Sequence, residues 1–191
     1  MNEQRFRWRN KQLRDHADVI NGKIAPSKVL KQITYLNVFL KQWVIGNIWI
    51  LEDRIVYTGP EMPENLYGTE IIEGDGEYAV PGYIEPHAHP FQLYNPQSFA
   101  EHASWGGTTT IINDNLMWLF LTERKKAFSL LEEFMNLPSS MFWWGRFDAQ
   151  TSLRDEKQRK LEKQLPEWFD HDAVIQGGEL TASAGRALRE G

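Results

Sequence analysis

Two histidines separated by one residue are the side chains most able to do chemistry in this chain. His87 and His89 lie at the end of the segment 81–89, just after a predicted strand over residues 80–85. On extended backbone, residues two apart point to the same side, so both imidazoles project together. Their Cα atoms lie about 6.5 Å apart, which lets both rings reach one metal ion at about 2.1 Å. The spacing alone is weak evidence, but together with the position at the end of a predicted strand it favours a metal site over the alternative, two loop histidines hydrogen-bonded to carbonyl groups.

The elements that would position this pair are predicted strands that alternate with amphipathic helices. The predicted strands cover residues 80–85, 108–113, 141–147 and 173–177, and the predicted helices cover Pro96–Trp105, 122–137 and 154–169. Such alternation indicates a parallel sheet with right-handed crossovers. Active sites of α/β barrels lie at the carboxyl ends of their strands, which is where the histidine pair falls.

The first part of the chain has a different pattern. The first twenty residues are predicted to be helical on the apolar spacing within Asn10–Ile20, with Gly22 as the left-handed stop. Short β-branched and aromatic runs follow at 33–40, 43–51, 54–58 and 70–72, separated by glycine and acidic turns. They predict a small antiparallel sheet. We therefore expect two domains, residues 1–79 and 80–191.

Composition excludes several classes of protein. The 191 residues include 21 Lys and Arg against 26 Asp and Glu, a net charge of −5 that predicts no nucleic-acid partner. The chain has no cysteine, which excludes disulfides and thiolate chemistry and is typical of the cytoplasm, where we expect the protein. The longest apolar run, residues 116–121, is too short to span a membrane, and no signal peptide is visible.

Several motifs together resemble the amidohydrolase superfamily. Segment 81–89 reads Pro-Gly-aromatic-Ile-acidic-x-His-x-His, which resembles the first metal-binding strand of that superfamily. Segments 48–59 and 106–110 resemble its sandwich hairpin and the start of its second barrel strand. Segment 18–23, followed by Pro26, is similar to the beginning of adenine deaminases, in particular the divergent adenine deaminase-like enzymes of bacilli.

The resemblance implies a fold. It is an α/β fold: the N-terminal part of a (β/α)8 metal-dependent hydrolase barrel, about four β/α units, preceded by a small β-sandwich subdomain. The further histidines and the aspartate of such a site would lie on later strands, and a whole barrel takes about 250 residues. We therefore expect the chain to be the N-terminal part of a longer enzyme.

The resemblance also implies a reaction and its residues. His87 and His89 would bind one divalent metal. Glu179, at the position of a bridging glutamate, would bridge this metal to a second metal ion. Manganese, iron and zinc all suit these ligands. Water activated by this binuclear site would attack C6 of adenine and release ammonia, leaving hypoxanthine. Glu179 and Asp114 are the expected catalytic residues, and Asp114 is equally well interpreted as a helix cap.

Departures from the family pattern leave other functions open. Asp114 is followed by Asn-Leu-Met where adenine deaminases have Pro-His-Glu, and Pro90-Phe91-Gln92 replaces their Glu-Ser-Ser. The alternatives are another cyclic amidohydrolase acting on ring C–N bonds, or an inactive fragment or assembly module. In either enzyme the partner is a small heterocycle, without nucleic acid or membrane, and the protein is expected to be a homo-oligomer.

The remaining candidates are expected to have structural roles. We do not expect the other three histidines, His16, His102 and His171, to bind metal. Arg146 and Asp148, at the end of the third strand of the second part, are interpreted as an ordinary ion pair. Residues 141–144 are interpreted as core, with a stacking platform for a heterocycle as the alternative.

Overall fold

The protein divides into two compact units, Met1–Pro81 and Gly82–Gly191. A computed structural model describes residues 10–146 and 163–179. Each unit contains its own sheet, one mixed and one parallel, so the mixed α/β class expected from the sequence is confirmed. In the part of the chain that is described, no helix has the length and apolarity needed to cross a membrane.

The first described element of the first unit is helix α1, Asn10–Ile20, which stops before Gly22 as predicted. Gly22 follows the end of the helix, and its φ of 71° is the left-handed conformation that glycine adopts without strain. Val19, on the last turn of α1, is fully buried against Val29 and Trp49. This contact anchors the helix to the sheet of the same unit.

The sheet of the first unit is mixed. Strands β1 (Lys28–Asn37), β2 (Gln42–Leu51) and β3 (Arg54–Gly59) form the antiparallel hairpins that the sequence predicts. Strands β4 (Glu70–Glu73) and β5 (Tyr78–Ala79) instead pair with β1 in parallel. The prediction of a purely antiparallel sheet is therefore wrong for β4 and β5, because residues 60–69 lead the chain back to the free edge of β1.

The second unit has a parallel sheet of four strands in sequential order. They are β6 (Tyr83–Ala88), β7 (Thr108–Asp114), β8 (Ser140–Gly145) and β9 (Val174–Gly177), each hydrogen-bonded to the next. Their carboxyl ends consequently lie at one edge of the sheet. Strand β6 begins and ends three residues later than predicted, so His87 belongs to the strand itself and His89 follows it directly.

Helices connect these strands. Helix α2, Pro96–Trp105, has the predicted bounds, and the Asn95 side chain accepts a hydrogen bond from the backbone N–H of Ser98 at 2.9 Å. The predicted helix 122–137 is shorter, Arg124–Phe134 (α4), and is preceded by the short helix Leu116–Leu121 (α3). Of the predicted helix 154–169, residues Leu165–Phe169 (α5) are helical, and residues 154–162 lie outside the described part.

The core of the second unit lies between the sheet and helices α4 and α5. It is formed by Ala127 and Leu131 of α4, Trp143 of β8, Trp168 of α5, and Ala173 and Val174 at the start of β9. Leu131 is fully buried, whereas the neighbouring Leu130 is 37% exposed. Because both leucines lie on the same helix, replacing each by alanine compares the effect of burial at equal helix propensity.

We expect Leu131→Ala to lower the free energy of unfolding by about 2–5 kcal/mol, because it removes buried methyl groups and leaves a cavity. Leu130→Ala is the matched control and should cost less, since the Leu130 side chain is 37% exposed and alanine keeps the helix. Urea unfolding followed by near-UV circular dichroism measures both. Equal losses from the two variants would contradict the packing of α4 described above.

Candidate metal centre

Five polar side chains meet at the carboxyl edge of the parallel sheet. His87 lies in β6 and His89 follows it, Asp114 ends β7, Arg146 follows β8, and Glu179 lies two residues after β9. Because parallel strands in register place their carboxyl ends side by side, residues far apart in the chain become neighbours. The edge thus brings together all four residues for which the sequence predicts a functional role, and adds Arg146.

Three potential ligand atoms converge at this edge. The Nε2 atoms of His87 and His89 are 3.2 Å apart, and Glu179 Oε1 lies 2.6 Å from the first and 3.1 Å from the second. One ligand atom from each side chain falls within 4.8 Å of the others. Over residues 10–146 and 163–179, these side chains form the one such group of three or more histidine or acidic residues.

The separations fit a shared divalent cation. Ligands about 2.1 Å from one ion are about 3.0–3.4 Å apart at coordination angles between 90° and 109°. The distances of 3.2 and 3.1 Å that involve His89 Nε2 lie in this range. The 2.6 Å distance from His87 to Glu179 is a hydrogen bond in which the ring N–H donates to the carboxylate. A cation would replace this proton, and two imidazoles with one carboxylate suit zinc, manganese or iron.

The protonation of His89 follows from its contact with Asp114. His89 Nδ1 lies 3.0 Å from Asp114 Oδ2, and a carboxylate only accepts, so the proton is on Nδ1. In the neutral ring, Nε2 then presents a lone pair toward Glu179 and His87. Metal-binding histidines are oriented by carboxylates in this way. Asp114 is the last residue of β7, and Asn115 is the residue that directly precedes α3.

Arg146 joins the two carboxylates of the site. Its side chain is fully buried, with Nη1 donating to Asp114 Oδ2 at 2.9 Å and Nη2 lying 3.3 Å from Glu179 Oε2. The backbone N–H of Arg146 donates to Asn115 Oδ1 at 3.2 Å. Asp148, the ion-pair partner expected from the sequence, lies outside the described residues. Sequence reasoning noticed the arginine at a strand end but missed that both carboxylates of the site flank it.

The environment of Glu179 keeps its carboxyl ionised. Burial alone raises the pKa of Glu179, but the hydrogen bond from His87, the charge of Arg146 and the charge of the two imidazoles in their protonated form lower it by more, so the pKa lies below its ordinary value. The side chain is 27% exposed, so solvent still reaches the group. Glu179 therefore supplies a negative charge and accepting oxygens at neutral pH.

A tryptophan forms the wall behind the histidines. The Trp144 ring is buried, and its centroid lies 4.5 Å from that of His87 and 5.6 Å from that of His89. A Cβ at Gly178 would collide with the same ring, and the Gly178 N–H donates to Gly145 O at 2.8 Å. The glycine before Glu179 thus permits the close approach that brings the carboxylate to the histidines.

The other histidines lie in different surroundings. The His102 ring stacks on Tyr94 with centroids 5.5 Å apart, on helix α2. His171 accepts a hydrogen bond from the Ala173 N–H and packs beside Phe128, and burial lowers its pKa despite nearby acidic groups. His16 lies on α1 in the first unit. None of these three belongs to the cluster of ligand atoms found in the described residues.

Comparison with known proteins gives related sequences over almost the whole chain. A putative adenine deaminase of Bacillus anthracis is 51% identical over 182 residues, 95% of this chain and 31% of that protein. Those of Oceanobacillus iheyensis and Bacillus subtilis are 52% and 46% identical over 91% and 95% of this chain, and 30% and 31% of theirs. The chain thus spans about a third of the curated relatives it matches, and its resemblance to adenine deaminases is confirmed.

Comparisons with family models and with solved structures add little to this finding. No family model matches the chain. Among solved structures, one from a study of molinate hydrolase aligns with a TM-score of 0.44 and 13% identity, over 75% of this chain and 38% of that one. A likeness of this size does not decide the fold.

We expect Asp114→Ala to weaken the binding of Mn²⁺ by about 10–100-fold, because His89 loses the acceptor that orients it. Asp114→Asn removes the same charge but keeps an accepting oxygen, so its loss should be smaller. Asp170→Ala, on the exposed end of α5, is the control and should bind as the unchanged protein does. Titration calorimetry of metal-free protein measures all three. Undiminished Mn²⁺ affinity in Asp114→Ala would contradict the orienting role.

Proposed function

We propose that His87, His89 and Glu179 bind a divalent cation and that the protein is a hydrolase that removes ammonia from adenine. The observation that carries the proposal is the convergence of two imidazole nitrogens and one carboxylate oxygen within 4.8 Å, at the strand ends. The related sequences named putative adenine deaminase, at about 50% identity, support the substrate. The reaction consumes adenine and water and yields hypoxanthine and ammonia.

The residues around this site have separate proposed roles in the reaction. A divalent cation held by these ligands lowers the pKa of a coordinated water toward neutrality. Asp114 holds the proton on Nδ1 of His89 and thereby leaves Nε2 able to bind the cation. Glu179 contributes negative charge, and its position between the histidines makes it a candidate proton acceptor. We keep Glu179 and Asp114 as the proposed catalytic residues.

The number of cations is part of the proposal. The resemblance to adenine deaminases implies a binuclear site of manganese, iron or zinc that shares Glu179. Within the described residues, Glu179 Oε1 faces the histidines and Oε2 faces Arg146. The second cation would therefore take its remaining ligands from residues other than those of the described cluster.

The fold of the second unit is proposed to be part of a (β/α)8 barrel, and the first unit part of a β-sandwich. The sequential order β6-β7-β8-β9 supports the barrel, because neighbouring barrel strands follow one another along the chain. An open doubly wound sheet would reverse its order at a switch point, which these four strands do not do. We place the domain boundary at residues 79–80.

The proposed setting is a cytoplasmic homo-oligomer that acts on a small heterocycle. A net charge of −5 provides no general attraction for phosphate, which supports a partner other than nucleic acid. The lack of cysteine fits a reducing compartment.

The test is ammonia release from adenine by the full-length protein that carries these residues, loaded with Mn²⁺. We expect hypoxanthine and ammonia in equal amounts, and loss of both products in His87→Ala, which removes one imidazole ligand. His102→Ala is the matched control, since its ring stacks on Tyr94 away from the cluster, and should retain activity.

Two results would overturn the proposal in different ways. Ring opening of a hydantoin or dihydropyrimidine, without ammonia from adenine, would assign another cyclic amidohydrolase. Full metal content and activity in His87→Ala would show that the site lies elsewhere.

A further inference from the structure

We infer that Arg146 is a positioning residue that holds both carboxylates of the candidate metal centre, and through Asp114 also His89, in the arrangement that binds a cation. The inference rests on the proposed metal site and adds to it a residue that is not itself a ligand. Its basis is a closed ring of contacts in which the guanidinium lies between Asp114 and Glu179 on one side and His89 contacts both carboxylates on the other.

Burial makes the contacts of Arg146 obligatory. Its side chain has no exposed surface, and a buried guanidinium is costly unless anionic groups pair with it. Among the described residues, the carboxylates of Asp114 and Glu179 pair with it, and both also contact the histidines. The arginine therefore cannot relax into solvent without disturbing the groups that surround the cation site.

The geometry of the contacts closes a ring of four side chains. Nη1 donates to Asp114 Oδ2 at 2.9 Å, and this same oxygen accepts from His89 Nδ1 at 3.0 Å. On the other side, Nη2 lies 3.3 Å from Glu179 Oε2, while Glu179 Oε1 lies 3.1 Å from His89 Nε2. A planar guanidinium fixes the directions of its two nitrogens, so it sets the separation of the two carboxylates.

A charge role and a positioning role of Arg146 predict opposite effects of its removal on cation affinity. With neutral imidazoles, Asp114 (−1), Glu179 (−1) and Arg146 (+1) carry a net charge of −1. Loss of the arginine leaves −2, so if Arg146 acted as a charge alone, its removal would strengthen cation binding. If Arg146 holds the ligands in place, its removal weakens binding despite the more negative site. The sign of the change therefore separates the two roles.

Substitution of Arg146 by lysine distinguishes the charge role from the positioning role in a second way. The lysine ammonium keeps the positive charge but is a single point on a flexible stem and lacks the rigid fork of a guanidinium. A pure charge effect predicts that Arg146→Lys binds a cation like the unchanged protein. The positioning role predicts that Arg146→Lys and Arg146→Met both bind it more weakly.

The experiment uses the full-length protein, freed of metal, with Co²⁺ as the probe. Titration calorimetry gives the dissociation constant, and the visible absorption of bound Co²⁺ reports the coordination geometry. We expect Arg146→Lys and Arg146→Met to bind Co²⁺ about 10–100-fold more weakly, as supporting residues around metal ligands do, with an altered spectrum. Arg124→Met removes an arginine that pairs with Glu167 at 2.7 Å on the surface, and should change neither quantity.

Each other outcome has a defined meaning. Co²⁺ affinity equal to or higher than normal, with an unchanged spectrum, in folded Arg146→Met would overturn the inference. Near-UV circular dichroism checks folding, and Arg146→Met combined with Asp114→Asn reduces the charge left unpaired if the single variant unfolds. Failure of all these variants to fold would assign Arg146 to fold stability and also overturn the inference. Absence of Co²⁺ binding by the unchanged protein would refute the metal site itself.

Discussion

The parallel alignment of β6 to β9 is the constraint on which the candidate site depends. His89 and Glu179 are 90 positions apart in the chain, yet their side chains lie 3.1 Å apart because both follow strands of one parallel sheet. The sheet is held in register by backbone hydrogen bonds and by the core that α4 and α5 place against it. Polar chemistry at the strand ends thus relies on apolar packing behind them.

The close packing beside the site is equally specific. Gly178 allows the chain to pass directly over Trp144. The Gly178 N–H donates a hydrogen bond to the carbonyl oxygen of Gly145, the last residue of β8. The buried Trp144 ring lies against both imidazoles and limits the directions they can take. The buried guanidinium between Asp114 and Glu179 completes this enclosure from the side of the protein interior. The ligand atoms are therefore constrained from several directions before any cation binds.

Sequence patterns predicted the local elements better than their pairing. Helix α2 has the expected bounds and α1 has the expected end, because Asn95 and Gly22 mark these positions in the sequence. The parallel pairing of β4 and β5 was missed, because it depends on the path of a long connection and not on the residues of the strands. The histidine spacing and the glutamate position indicated the site, whereas the guanidinium link of Arg146 between two strand ends depends on tertiary structure that no local pattern encodes.

The identity of the atoms that bind the cation is the most direct test of the central claim, the shared site of His87, His89 and Glu179. X-ray absorption at the zinc edge, on protein loaded with one Zn²⁺ per chain, measures these ligands. We expect imidazole scattering from two histidines and a carboxylate oxygen, with bonds of about 2.0–2.2 Å. We also expect one imidazole to be lost in His89→Ala. A spectrum of oxygen ligands without imidazole, or one unchanged in His89→Ala, would contradict the shared site.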